Sequence, residues 1–76
     1  MPGSMSAKEW IASFAAGLGV EPPDDATIEA LLGVAGVAAH ASERIAAPIT
    51  CYLIGLAGAD VAHAATVAGT IAETEE

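Results

Sequence analysis

Basic residues are almost missing from this chain: Lys8 and Arg44 stand against ten carboxylates, for a formal net charge of −8. Such a charge repels phosphate backbones and anionic lipid, which argues against nucleic acid and membrane as partners. Cysteine occurs once, as Cys51, so no intrachain disulfide can form and nothing requires an oxidising compartment. Aromatic residues make up only 4% of the chain although hydrophobic residues make up 54%. The apolar content is therefore mostly alanine with some Val, Ile and Leu, small side chains that let helices approach closely. Period-two alternation of β-branched residues is also missing, which argues against strands.

A secretory leader is not visible either, because Lys8 and Glu9 follow Met5 and no continuous apolar stretch comes after them. The expected location is the cytoplasm. Met1-Pro2-Gly3-Ser4 precedes a second methionine and reads as a tag remnant, which leaves residues 5–76 as a single domain. A domain of this size buries roughly 60% of its unfolded surface, the lower edge of what sustains a core. The longest uncharged run, Ile45 to Ala59, is shorter than the ~20 residues a bilayer helix needs, holds Pro48 near its start and is closed by Asp60. It is expected to be a buried helix.

What is present is helical periodicity. Ser6 with Glu9 three residues later is a capping-box pattern. Trp10, Ile11, Phe14, Ala15 and Leu18 then recur at helical spacing, which predicts a helix over about Ala7–Leu18. Gly17 and Gly19 suit its C-terminal end, and Glu21-Pro22-Pro23-Asp24 makes a stiff connector. Asp24 or Asp25 caps a second helix with an inner stripe of Ile28, Leu31, Leu32, Ala35 and Ala39. Val34 and Val37 fall on its opposite side, so this helix is apolar nearly all round, the pattern of a central helix with two neighbours, and those two residues become a candidate interaction face.

His40-Ala41-Ser42-Glu43-Arg44 reads as a loop or helix corner, and Pro48 suits the first turn of a third helix. Ile49, Tyr52, Leu53 and Leu56 form that helix's stripe. Gly55 and Gly58 allow a close backbone approach or a stop. Asp60 opens a fourth helix with Val61, Ala64, Ala65, Ala68, Ile71 and Ala72 inward, and Glu73, Glu75 and Glu76 crowd its negative end, which should fray. Short connectors make the fold class all-α, a small antiparallel bundle of about four short helices, with Trp10, Phe14 and Tyr52 supplying its aromatic core area.

Chemistry-bearing residues are few. His40, Glu43, Cys51 and His63 could ligate a metal, but no His-x-x-x-His or Cys-x-x-Cys pair anchors a site, so no metal is expected. Cys51 with His40 or His63 and Asp60 would be the only nucleophilic arrangement, and no oxyanion donors accompany it. Gly33-Val34-Ala35-Gly36 follows no strand and precedes no lysine, so it marks helix packing and no phosphate loop. Arg44, the sole arginine, is expected to tie the corner formed with His40, Glu43 and Pro48 through charge-assisted hydrogen bonds.

Trp10, Pro22, Leu31, Leu32, Ala39, His40, Glu43, Arg44, Ala46, Ala47 and Pro48 together carry a resemblance. The chain resembles the small uncharacterised actinobacterial helical domain fused to, or encoded beside, the molybdenum-cofactor guanylyltransferase. That family carries a basic or proline residue after the Glu-Arg pair, where this chain has Ile45. The resemblance implies an accessory role in biosynthesis or delivery of molybdopterin guanine dinucleotide, with the guanylyltransferase as a protein partner. It implies no catalytic residues. The expectation is thus a non-enzymatic interaction domain without cofactor, with a protein partner or a homodimer completing its burial. The alternative is a ligand-binding or enzymatic bundle that uses the His40, Glu43 and Arg44 corner.

Overall fold

The computed structural model describes residues 5–74. They form four helices, α1 (Ala7–Leu18), α2 (Asp25–Ala41), α3 (Ala46–Ala57) and α4 (Val61–Thr74). The proposed tag remnant and the last two glutamates, with the fraying expected there, lie outside the described residues.

Local signals set most of the boundaries. The Ser6 backbone N–H donates to Glu9 Oε1 at 2.9 Å and the Glu9 N–H donates to Ser6 Oγ at 3.1 Å, so the capping box opens α1. At the other end Gly19 takes a left-handed φ of 77°. Its N–H donates to the Ala16 carbonyl at 3.1 Å and the Val20 N–H to the Ala15 carbonyl at 2.9 Å, the paired bonds of a Schellman stop. Gly58 (φ 65°) closes α3 in the same way, with bonds to the Gly55 and Ile54 carbonyls. Asp24 caps α2, its carboxylate accepting from the Thr27 N–H at 2.8 Å. Asp60 starts α4, its carbonyl accepting from the Ala64 N–H at 3.0 Å.

Tertiary packing centres on α2, which packs against both α3 and α4. No comparable packing joins α3 to α4 or α1 to any other helix. The chain is drawn out accordingly: its radius of gyration is 13.8 Å, against about 11 Å for a compact domain of this length. Its accessible surface of 5663 Å² exceeds the ~4,200 Å² typical of a monomer of this mass. The fold is therefore a three-helix body carrying α1 as an arm.

Burial departs from the sequence expectation. Among the described residues only Ala15 and Val34 are fully buried. Trp10 and Phe14, expected as core, are 59% and 55% exposed, and Tyr52 is likewise exposed. Periodicity identifies which residues share a helix face, but the Trp10 and Phe14 side of α1 and the outer side of α3 stay open, while Ala15 of α1 is buried and Ile11 half-buried. Leu32 also points outward from α2, whereas Val34, expected on an open face, is the deepest side chain at 2% exposure. Ile28, Leu31, Ala35 and Ala39 of the expected stripe are half-buried, so the seam of α2 is that stripe turned partway toward Val34, which leaves Leu32 outside.

Candidate functional site

Two surface features stand out once the helices are in place. The first is a cavity of about 600 Å³ whose lining includes Val34 and Val37 of α2, Leu53 and Ile54 of α3, and Ala64 and Val67 of α4. Because α2 touches both α3 and α4 while those two barely meet, the cavity is a groove with α2 as its floor. Among the described residues its polar lining is Ser42, Thr50 and His63, with no carboxylate, lysine or arginine. A space of this kind receives apolar groups.

The second feature is the outer row of α3. Ile45, Ile49, Tyr52 and Leu56 are spaced four, three and four residues apart, which lines them up along one side of a helix. Each is more than half exposed. No residue of α3 carries a charge. The sequence pattern found Ile49, Tyr52 and Leu56, together with Leu53 and without Ile45, but assigned them inward, since period alone carries no information about what a stripe faces.

The polar corner is looser than expected. α2 continues through His40 and Ala41, so only Ser42 to Ile45 form the connection. That connection holds through its backbone: the Ala46 N–H donates to the Glu43 carbonyl at 2.9 Å and the Ala47 N–H to the Arg44 carbonyl at 3.1 Å. Among the described residues the one ion pair is elsewhere, Lys8 Nζ to Asp25 Oδ1 at 2.8 Å, so the expected Arg44 side-chain tie is not formed. His40, Glu43, Arg44 and Pro48 are all exposed. His40 lines a second, shallower cavity with Gly36, Val37, Ala41 and Ala72, while Glu43, Arg44 and Cys51 line neither. Val37 borders both cavities and is half-buried, so of the two valines expected on an open face it alone keeps access to solvent.

No three His, Cys, Asp or Glu side chains gather into a metal-binding group among the described residues. Nor is any described helix long and apolar enough to cross a membrane. One carboxyl is perturbed: hydrogen bonds from Thr27, its side chain first and its backbone N–H second, hold Asp24 below the ordinary Asp value. This is a capping effect far from the groove.

Fold and surface together define a small all-α domain, a three-helix body with an arm, an open apolar groove and an exposed apolar row. A family model described as Domain of unknown function (DUF6457) matches residues 3–76, and the chain belongs to that family. Neither the curated proteins nor the solved structures contain a match to it.

Proposed function

We propose that this chain is a non-catalytic docking domain that receives a helix of another protein along the outer row of α3. The observation that carries this reading is the row itself: Ile45, Ile49, Tyr52 and Leu56, all exposed, on a helix without charge. Monomeric proteins rarely leave a contiguous apolar strip of this extent in water. Spacing of four, three and four is that of a helix-pairing seam, which favours an amphipathic helix as the complementary surface.

The partner's flanks are basic on this reading, because the chain brings a net charge of −8 to the encounter. The sequence resemblance nominates the partner, the molybdenum-cofactor guanylyltransferase, and with it a cytoplasmic accessory role in making or delivering that cofactor.

Sedimentation equilibrium of the chain mixed with the guanylyltransferase of the same organism tests both parts. The wild-type chain should form a complex, and the double variant Ile49→Ser/Leu56→Ser should bind at least about tenfold more weakly with unchanged helix content, as for interface anchors in general. A complex indifferent to the double substitution removes α3 as the docking surface. If the wild-type chain forms no complex, the assignment to the molybdenum-cofactor pathway falls.

A further inference from the structure

We propose that the groove between α3 and α4 is the seat of α1 from a second copy of this chain, so that two copies exchange helices reciprocally. This inference rests on other residues than the α3 row, although Leu53, which shares a sequence stripe with Ile49, Tyr52 and Leu56, lines the edge of the groove.

The donor and the acceptor match in length. α1 has 12 residues, about 18 Å of helix, and the groove walls α3 and α4 have 12 and 14 residues. They also match in chemistry. Trp10, Phe14 and Leu18 recur at intervals of four, so they share one side of α1, and all three are exposed. The Trp10 and Phe14 rings already stack, with centroids 6.0 Å apart and planes at 15°, and present a single apolar wedge. Opposite it, the groove offers Val37, Leu53, Ile54 and Val67 without a charged side chain. A body of three helices around α2 with an open fourth corner is what a bundle-forming helix completes.

Charge selects among possible occupants. α1 holds one Lys8 and one Glu9 and is neutral, while the chain as a whole carries −8. A basic partner helix gains little from a groove lined by uncharged residues, whereas a neutral apolar helix enters it without burying a charge, even though the two bodies, each at −8, repel one another. α1 is such a helix, and it is available at the concentration of the chain itself.

The connector explains why α1 does not fill its own groove. Gly19 is fixed by the Schellman bonds, Pro22 and Pro23 fix their own φ, and Asp24 is committed to the cap of α2. Lys8 is held to Asp25 at 2.8 Å on the arm side. A short, stiff hinge of this kind favours exchange between copies over closure within one. Burying an aromatic side chain covers ~150–250 Å². Trp10 and Phe14 are already about four-tenths covered, so two reciprocal insertions of the pair with the groove surface they meet bring ~700–1,100 Å², and exposed Leu18 carries the total toward the ~1,200 Å² lower bound of a stable interface.

Sedimentation equilibrium from micromolar to millimolar concentration, with the emission of Trp10 followed in parallel, tests the exchange. The wild-type chain should pass from one copy to two as Trp10 emission shifts to the blue. Added salt should strengthen the dimer by screening two bodies of like charge. Trp10→Ser/Phe14→Ser should remove the donor and Val67→Glu the acceptor, each weakening self-association at least about tenfold. Mixing the two variants should restore a one-sided pair, in which the intact α1 of the Val67→Glu chain enters the intact groove of the other.

A strict monomer over the whole range overturns the exchange, as does a dimer that ignores both variants. A blue shift independent of concentration overturns it in favour of closure within one chain. Stoichiometric uptake of 1-anilinonaphthalene-8-sulfonate that leaves the dimer intact makes the groove a small-ligand site and likewise ends the proposal. None of these outcomes bears on Ile49 and Leu56, so failure here is distinguishable from failure of the docking reading.

Discussion

α1 and α2 begin alike and end in opposite surroundings. Each opens with a side-chain oxygen accepting the backbone N–H three residues on, Ser6 from Glu9 and Asp24 from Thr27. Yet α2 packs on two helices and carries the deepest side chain, whereas α1 holds its two rings in solvent. Capping determines where a helix starts; it does not determine what the helix buries. In α1 the local signals are complete and tertiary burial is small, so its contribution to the chain lies outside the isolated body.

The largest test of that contrast compares one substitution in each region. Val34→Asp places a carboxylate at the deepest position of the body, without a partner, and should cost several kcal/mol, a large part of the stability of so small a domain. Trp10→Ser, measured where the chain is a single copy, should leave the thermal midpoint nearly unchanged because the ring is already 59% exposed. Circular dichroism on heating reads both. Equal losses from the two variants would show that α1 belongs to the core of its own chain.

Glycines sharpen the comparison at a smaller scale. A Cβ at Gly33 or Gly55 meets nothing within 4 Å, so neither position is the close helix contact that the sequence suggested. Gly58 also has open space, but its φ of 65° strains any L side chain. Gly58→Ala should therefore destabilise by about 1–2 kcal/mol, while Gly33→Ala and Gly55→Ala should each stabilise by about 0.5–1 kcal/mol. Urea midpoints at fixed slope check these signs. A loss at Gly33 or Gly55 would mean that another surface packs there in solution.

These contrasts also show which features the sequence encodes locally. The span Ala7–Leu18 and the Ser6–Glu9 box are legible because each depends on residues within a few positions of one another; the same signals leave the cap of α2 between Asp24 and Asp25 and Gly58 between a stop and a close approach, and the structure selects Asp24 and the stop. The all-α class follows from the same periodicity. Placement of Trp10, Phe14 and Tyr52 is not legible, because it depends on which helices meet. A bundle of about four helices assigns every stripe an inner neighbour, but here α2 alone contacts two helices. The all-round apolar pattern of α2 does read as a central helix with two neighbours, and α2 packs on both α3 and α4; with no stripe standing out, only packing shows that the Val34 side is the deepest. The groove as a whole had no sequence signal, since its lining is spread over three helices and consists mainly of Ala, Val, Ile and Leu, although two of its residues, Val34 and Val37, are the candidate face read from α2.

The smallest expected effect isolates one cap. Hydrogen bonds from Thr27 hold the Asp24 carboxyl below its ordinary value, so the folded state favours the ionised form more than the unfolded state does. The resulting stabilisation is complete above the ordinary Asp value of about 3.9 and disappears as pH falls through the lowered folded value. Wild-type stability as a whole is a poor readout, because with ten carboxylates acid also relieves repulsion across the chain. Asp24→Asn removes that ambiguity: asparagine also caps helices well but does not titrate in this range. The difference in stability, wild type minus Asp24→Asn, should rise as pH increases through the acid range and level off above about pH 4. A difference that stays flat across that window means the Asp24 to Thr27 bond at 2.8 Å does not persist in solution, and the start of α2 then rests on packing against α3 and α4 alone.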